Sequence, residues 1–172
     1  PICWLNIWDD YPAPMYNRDY YNSVDCLMGI SKQTVNINKL VLGEDADSKV
    51  IKYVPHGINP KQFFPIDEKH ELYDKLVEFK SQTIPNKDIE FIAYFNSRNI
   101  HRKRPGDIIL SFKYFCDTIG EEAAKKVGLV MHTEVSNNHG TDLKAVKEAI
   151  YPDGNIFFST GKINTGQMNF MY

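Results

Sequence analysis

Residues 95–107, Phe95-Asn-Ser-Arg98-Asn-Ile-His-Arg102-Lys103-Arg104-Pro-Gly-Asp107, decide how the rest of the chain reads. The apolar run at residues 89–95 leads into them and has the composition of a buried strand. Beyond Asp107, the sequence Ile-Ile-Leu-Ser-Phe-Lys-Tyr-Phe carries its apolar residues at helical spacing. Arg98, Arg102, Lys103 and Arg104 therefore stand in a strand-to-helix turn. Backbone N–H groups at a helix start favour an anion, and open α/β sheets bind ligands beyond the carboxyl ends of their strands. Arginine offers phosphate a bidentate fork and lysine a compact charge, so the combination suits a diphosphate. The same residues also read as a solvated basic loop with a helix cap, and composition does not separate the two.

Outside this turn the chain is even in character. Its 172 residues suffice for one full domain and are short for two, and its apolar, aromatic and charged fractions are those of a globular protein. A net charge of −2 argues against a dedicated nucleic-acid binder, which usually carries a broad basic surface. No apolar stretch reaches the roughly 18 to 20 residues of a membrane span and none resembles a secretory signal, so the expectation is cytoplasmic. Cys3, Cys26 and Cys116 are odd in number and far apart, and read as reduced core thiols rather than a disulfide frame or zinc site. The chain starts inside an apparent strand at Pro1 and stops inside an apparent helix at Tyr172, which suggests a fragment.

Reading outward, short strands are expected near residues 2–7, 25–30 and 50–54, with Ser31 as N-cap of a helix to about Leu42. Residues 55–65, rich in Pro and Gly, read as an interdomain crossing. Beyond them come a helix at 68–82, the strand and basic turn, a helix to about Thr118, strand 127–132, a helix from Gly140 to about Ile150, strand 155–159 and a last helix. This alternation predicts parallel β-α units, an α/β chain with a Rossmann-like sheet.

Four stretches, in this order, resemble retaining nucleotide-sugar glycosyltransferases of the large group 1, family 4-like type that includes sucrose, mannosyl and glycogen-type synthases. They are Val24-Asp-Cys-Leu-Met-Gly-Ile-Ser31; Val54-Pro-His-Gly-Ile-Asn59 with Phe64-Pro65; Arg98-Asn-Ile-His-Arg-Lys103, with Arg and Lys spaced as in "G-R-L-x-x-x-K-G"; and Asn155-Ile-Phe-Phe-Ser-Thr-Gly161 with Met168 and Tyr172. The resemblance implies a partial two-domain, GT-B type fold: residues 1–54 as the end of the acceptor-side domain, 55–65 as the crossing, and 66–172 as the first half of the nucleotide-sugar domain. It implies transfer of a hexose-type sugar from a nucleoside-diphosphate sugar to an unknown acceptor, with no metal and no separate cofactor. Arg98 and Lys103 would grip the diphosphate, and Gly161 and Lys162 would lie near the nucleobase or ribose. The chain departs from the pattern at Ser97 and Arg104, where the family has glycines. The family's glutamate pair would fall beyond Tyr172, so the chain alone is expected to be inactive.

Each of these residues has a plainer reading. Gly161 and Lys162 also suit an ordinary turn into a helix. His132 and Glu134 follow a strand end and could approach the floor of a cleft, where a single histidine is more often structural than an acid or base. Asp45-Ala-Asp47 is the sole Asp-x-Asp and reads as a solvated loop rather than a metal clamp. Trp4, Trp8, Tyr11, Tyr16, Tyr20 and Tyr21 suit a sugar platform or a packed core equally. Two other function classes stay open: a non-catalytic Rossmann-type nucleotide- or phosphate-binding module, and an RNA- or polyanion-binding domain, which the net charge and the lack of aromatic residues in the basic turn disfavour. Peripheral membrane contact of a longer parent is also open.

Overall fold

The computed structural model describes residues 1–172. The chain divides into two compact units, Pro1–Pro60 and Lys61–Tyr172. The division falls inside the 55–65 stretch, whose residues from Pro55 to Gln62 are all exposed and lie outside any helix or strand.

In the first unit, strands β1 (Cys3–Asn6), β2 (Cys26–Gly29) and β3 (Val50–Tyr53) form a parallel sheet in sequence order. Helices α1 (Arg18–Asn22) and α2 (Lys32–Leu42) connect them. Ser31 caps α2 as its composition predicts, its hydroxyl accepting from the Thr34 amide at 3.0 Å. The strands' inward residues Trp4, Leu27 and Ile51 pack with Tyr21, Val24, Ile37, Val41 and Leu42. Residues one position away face the other side, where Leu5 and Val50 are 42% and 50% exposed. At the end of β1 the Asn6 amide donates to the Tyr21 hydroxyl (2.9 Å) and to Asn38 Oδ1 (2.5 Å), a buried polar knot under the sheet.

The expectation of three core thiols fails for two of them. Only Cys116 is buried. Cys3 is exposed and Cys26 half-buried, because both open their strands and pair in register on the sheet's open face. The stretch after α2, expected as a plain connection, is wound into a 3-10 turn over Gly43–Ser48, and Asp45 there accepts from Arg18 and Asn22 at 3.0 Å each. The bond from Asn22, and with it that from Arg18, holds its carboxyl below the usual range.

The second unit begins with α3 (Tyr73–Thr83) and continues through β4 (Phe91–Asn96), α4 (Pro105–Ile119), α5 (Glu121–Ala124), β5 (Val127–His132), α6 (Leu143–Ile150), β6 (Ile156–Ser159) and α7 (Thr165–Met171). Its parallel sheet has the order β4-β5-β6. The central strand β5 is buried on both faces, as its unbroken apolar run requires. On one face Leu129, Met131 and Ile156 pack with Ile109, Phe112 and Cys116 of α4 and Leu143 of α6. On the other, Val130 packs with Ile84, Ile89, Tyr94, Phe157 and Met171. The residue 89–95 run, read as a buried strand, is in fact an edge strand with Phe91 56% exposed. The whole is α/β, two three-stranded parallel sheets flanked by helices, compatible with a Rossmann-like fold. No helix is long and apolar enough to cross a membrane.

Candidate anion-binding site

All three β-to-α connections of the second unit leave the sheet at its carboxyl end, which is where the residues singled out from sequence lie. Arg98 is two residues beyond β4, His132 ends β5, and Gly161 and Lys162 follow β6. Asn96, His132 and Ser159 stand in one register row across the three strand ends. His132 Nδ1 is 3.0 Å from the Ser159 hydroxyl oxygen, and the Asn96 amide donates to the Tyr172 hydroxyl at 2.9 Å. Beneath this row the buried Tyr94 hydroxyl has no partner, and burial, with Tyr172 adding to it, pushes its pKa up to about 12.

The basic turn is built by a continuous run of short backbone bonds. The Ile100 amide donates to the Arg98 carbonyl (3.0 Å), Lys103 to Ile100 (2.9 Å) and Arg104 to His101 (3.2 Å), giving a 3-10 turn over His101–Lys103. Arg104 then adopts a left-handed conformation (φ 47°), and Pro105 opens α4. Proline suits that first helical position, since its missing N–H would have no partner there, so the helix starts two residues before Asp107. Arg98, Arg102, Lys103 and Arg104 are all exposed. Arg104 lies 3.6 Å from the Asp107 carboxylate. Arg98, Arg102 and Lys103 have no ion-pair partner.

The three helices that start at this end differ in how they are closed. Asp142 caps α6 by accepting from the Lys144 and Ala145 amides, and Asn164 caps α7 with a reciprocal bond from Gln167. No side chain caps α4. The helix without a side-chain cap is thus the one preceded by the cations; Pro105 has no N–H and the Asp107 amide donates to the Arg104 carbonyl (3.0 Å), so within residues 105–107 only the Gly106 amide can join the dipole and the cations in favouring an anion. A groove of about 430 Å³ opens beside its start, lined by His101, Arg104, Gly106, Leu110, Thr141 and Val146 among others. Arg98 and Lys103 do not line it. Glu134, read as a cleft-floor candidate, is exposed, and its carboxylate accepts from the Asn137 amide. A larger groove of about 840 Å³ lies at the opposite end of the sheet, among Asp117, Glu121, Glu122, Lys125 and Lys126. Its lysines are paired, Lys125 with Glu122 and Lys126 with Glu90.

Of the aromatic residues proposed as a sugar platform, Trp4 packs edge-on against buried Tyr21 (5.4 Å) and Trp8 against Tyr16 (6.1 Å). Trp4, Trp8 and Tyr21 thus belong to the core packing of the first unit, whereas Tyr11, Tyr16 and Tyr20 are exposed. One residue of the turn escaped the sequence reading: Asn99, fully buried between exposed Arg98 and half-buried Ile100. Its burial depends on a loop some forty residues away, and no local pattern signals that. No protein-family model matches the chain, and no curated protein matches it.

Proposed function

We propose that the chain is part of a metal-independent retaining glycosyltransferase of the GT-B type, and that the second unit holds the diphosphate of a nucleotide sugar at the basic turn. One observation carries this reading: Arg98 and Lys103, unpaired, sit in the loop that runs from a parallel strand end into the only uncapped helix start on that side of the sheet. When a nucleoside diphosphate leaves a sugar, the bond from the anomeric carbon to the phosphate oxygen breaks and its electron pair stays on the phosphate. Fixed cations at that oxygen stabilise the transition state more than the ground state, and need no metal to do so. Gly161 and Lys162, beyond β6, and His132 are the residues best placed to meet the ribose or base. The acceptor is a hydroxyl compound whose identity lies with the rest of the transferase.

Calorimetric titration of the chain with uridine, guanosine and adenosine diphosphates in the presence of chelator tests this. Binding of at least one is expected, weakened by Arg98→Ala and by Lys103→Ala, with a smaller effect from the Arg102→Ala/Arg104→Ala pair. In a transferase containing the chain, either single substitution should lower turnover on the order of a hundredfold. Equal weakening from all four positions would identify a general polyanion surface, and no binding at all would remove the reading.

A further inference from the structure

The cations of the basic turn are exposed, so what fixes their position is sought beneath them. Asn99 is the turn's only residue between Arg98 and Arg104 with no exposed surface. It sits at the apex of the three-residue turn closed by the Ile100 amide on the Arg98 carbonyl. Its Nδ2 donates to the Glu134 carbonyl (3.0 Å) and to the Thr141 carbonyl (2.6 Å), while its Oδ1 accepts from the Thr141 amide (2.9 Å). Two of these bonds form a closed amide pair with the Thr141 backbone, and the third reaches the residue two beyond β5. The His101 amide adds a bond to the His139 carbonyl (3.1 Å).

The approach is close enough to demand a glycine. A side chain at Gly140 would put its Cβ 2.3 Å from both the Asn99 carbonyl oxygen and Oδ1. The loops that open α4 and α6 are therefore locked into one body, and the lock's single side chain is adjacent to Arg98. Beyond Asn99, the Lys103 amide bonds the Ile100 carbonyl and the Arg104 amide the His101 carbonyl, which ties the cations to the residues that follow the clamp.

We infer that Asn99 is the positioning residue of the anion site: by clamping the basic turn to the 133–142 loop it holds Arg98 and Lys103 in the geometry that receives a diphosphate. The inference rests on the function proposed above and adds to it the part that preorganises the cations. An ordered turn binds at its intrinsic affinity, whereas a turn that visits the binding geometry a fraction of the time loses affinity by that fraction.

The test titrates inorganic pyrophosphate into the chain, followed by amide chemical shifts of residues 98–104, for the parent, Asn99→Ser, Asn99→Ala, Arg98→Ala and the Arg98→Ala/Asn99→Ser double variant. All are measured well below their melting temperatures, with hydrogen exchange of the Thr141 and His101 amides as a structural readout. Serine retains a polar group and is the variant of choice if alanine does not fold. Asn99→Ser should speed exchange at both amides and weaken pyrophosphate binding about tenfold, the factor expected when the competent geometry falls to about a tenth of the population. In the Arg98→Ala background the same change should cost clearly less, because Asn99 acts through the cation it positions. A purely structural asparagine would lower the melting temperature and leave the dissociation constant of the folded protein unchanged, which overturns the inference. Equal losses in both backgrounds would overturn it too. Failure of the parent chain to bind pyrophosphate removes the proposed function and the positioning role together, and so is told apart from failure of the clamp alone.

Discussion

Replacing Gly140 with alanine should destabilise the second unit through a single added methyl group. The Cβ would lie 2.3 Å from the Asn99 carbonyl oxygen and from its Oδ1, and 2.7 Å from its Cγ. Ordinary van der Waals contact begins near 3.4 Å, so the loops must part by about 1 Å. The obstacle is partly backbone, and the side chain involved has no free space, so rotation cannot relieve it. A shift of that size carries the three Asn99 bonds, now 2.6–3.0 Å, toward the 3.6 Å at which they cease to be hydrogen bonds. At about 0.5–1.5 kcal/mol net for each of the three, the loss is about 1.5–4.5 kcal/mol. Gly140 has no positive φ, so the backbone itself accepts alanine and the cost is steric. The assay must avoid tryptophan emission, since Trp4 and Trp8 both belong to the first unit. Native-state hydrogen exchange of the slowest β5 amides reads the second unit directly, supported by urea unfolding followed by far-ultraviolet circular dichroism. Gly161→Ala is the control: nothing lies within 4 Å of its Cβ position, and its effect should stay within about 0.5 kcal/mol. A Gly140→Ala protein as stable as that control would show that the loops separate freely, and the clamp argument would fail.

Three further outcomes are expected. Ser31→Ala removes the α2 cap bond and should cost about 1 kcal/mol, read from the tryptophan signal of the first unit during urea unfolding; no shift of the midpoint would mean that water replaces the cap fully. Asp45, held ionised by Asn22 and Arg18, contributes stability that is present above the ordinary carboxylate range and lost as pH falls through its lowered value, so the gap in melting temperature between the parent and Asp45→Asn should start to close only below about pH 4 and shrink further as the lowered value is passed; a gap that widens toward low pH would reverse the assigned sign. Under native conditions a thiol-specific disulfide reagent should modify Cys3 first and Cys26 more slowly, the latter's thiol being pushed up by its partial burial and by Cys3, while Cys116 should react only on denaturation; rapid reaction of Cys116 would contradict its place in the core.

Much of the second unit is legible because its signals are local. Val127–His132 is an unbroken apolar run flanked by polar residues, and it becomes the doubly covered central strand. Ser31 announces its helix start by its own chemistry, whereas the α4 start, expected at Asp107, lies at Pro105. The α3 start is misjudged by five residues for an equally physical reason: Asp67 Oδ1 takes the Lys69 amide, the Asp67 carbonyl takes His70, and His70 Nδ1 takes Leu72. These local bonds compete with helix formation until Tyr73. Edge against centre is not written in a strand's composition, so β4 looks as buried as β5. The carboxyl-end location of Arg98, His132, Gly161 and Lys162 follows from the alternation of elements. Asn99 does not, since its partners Glu134 and Thr141 are brought to it only by the β4–β5 pairing.

The open face of the first sheet sets an order of events. Its strands are four residues long, and one layer of apolar side chains stands behind them. The second sheet is closed on both sides by the α4/α6 and α3/α7 layers. Amide protons shielded by a single layer are reached by small excursions, while those between two layers wait for a larger opening. The first sixty residues are therefore expected to exchange earliest on warming, and the basic turn belongs to the unit whose sheet is covered on both faces.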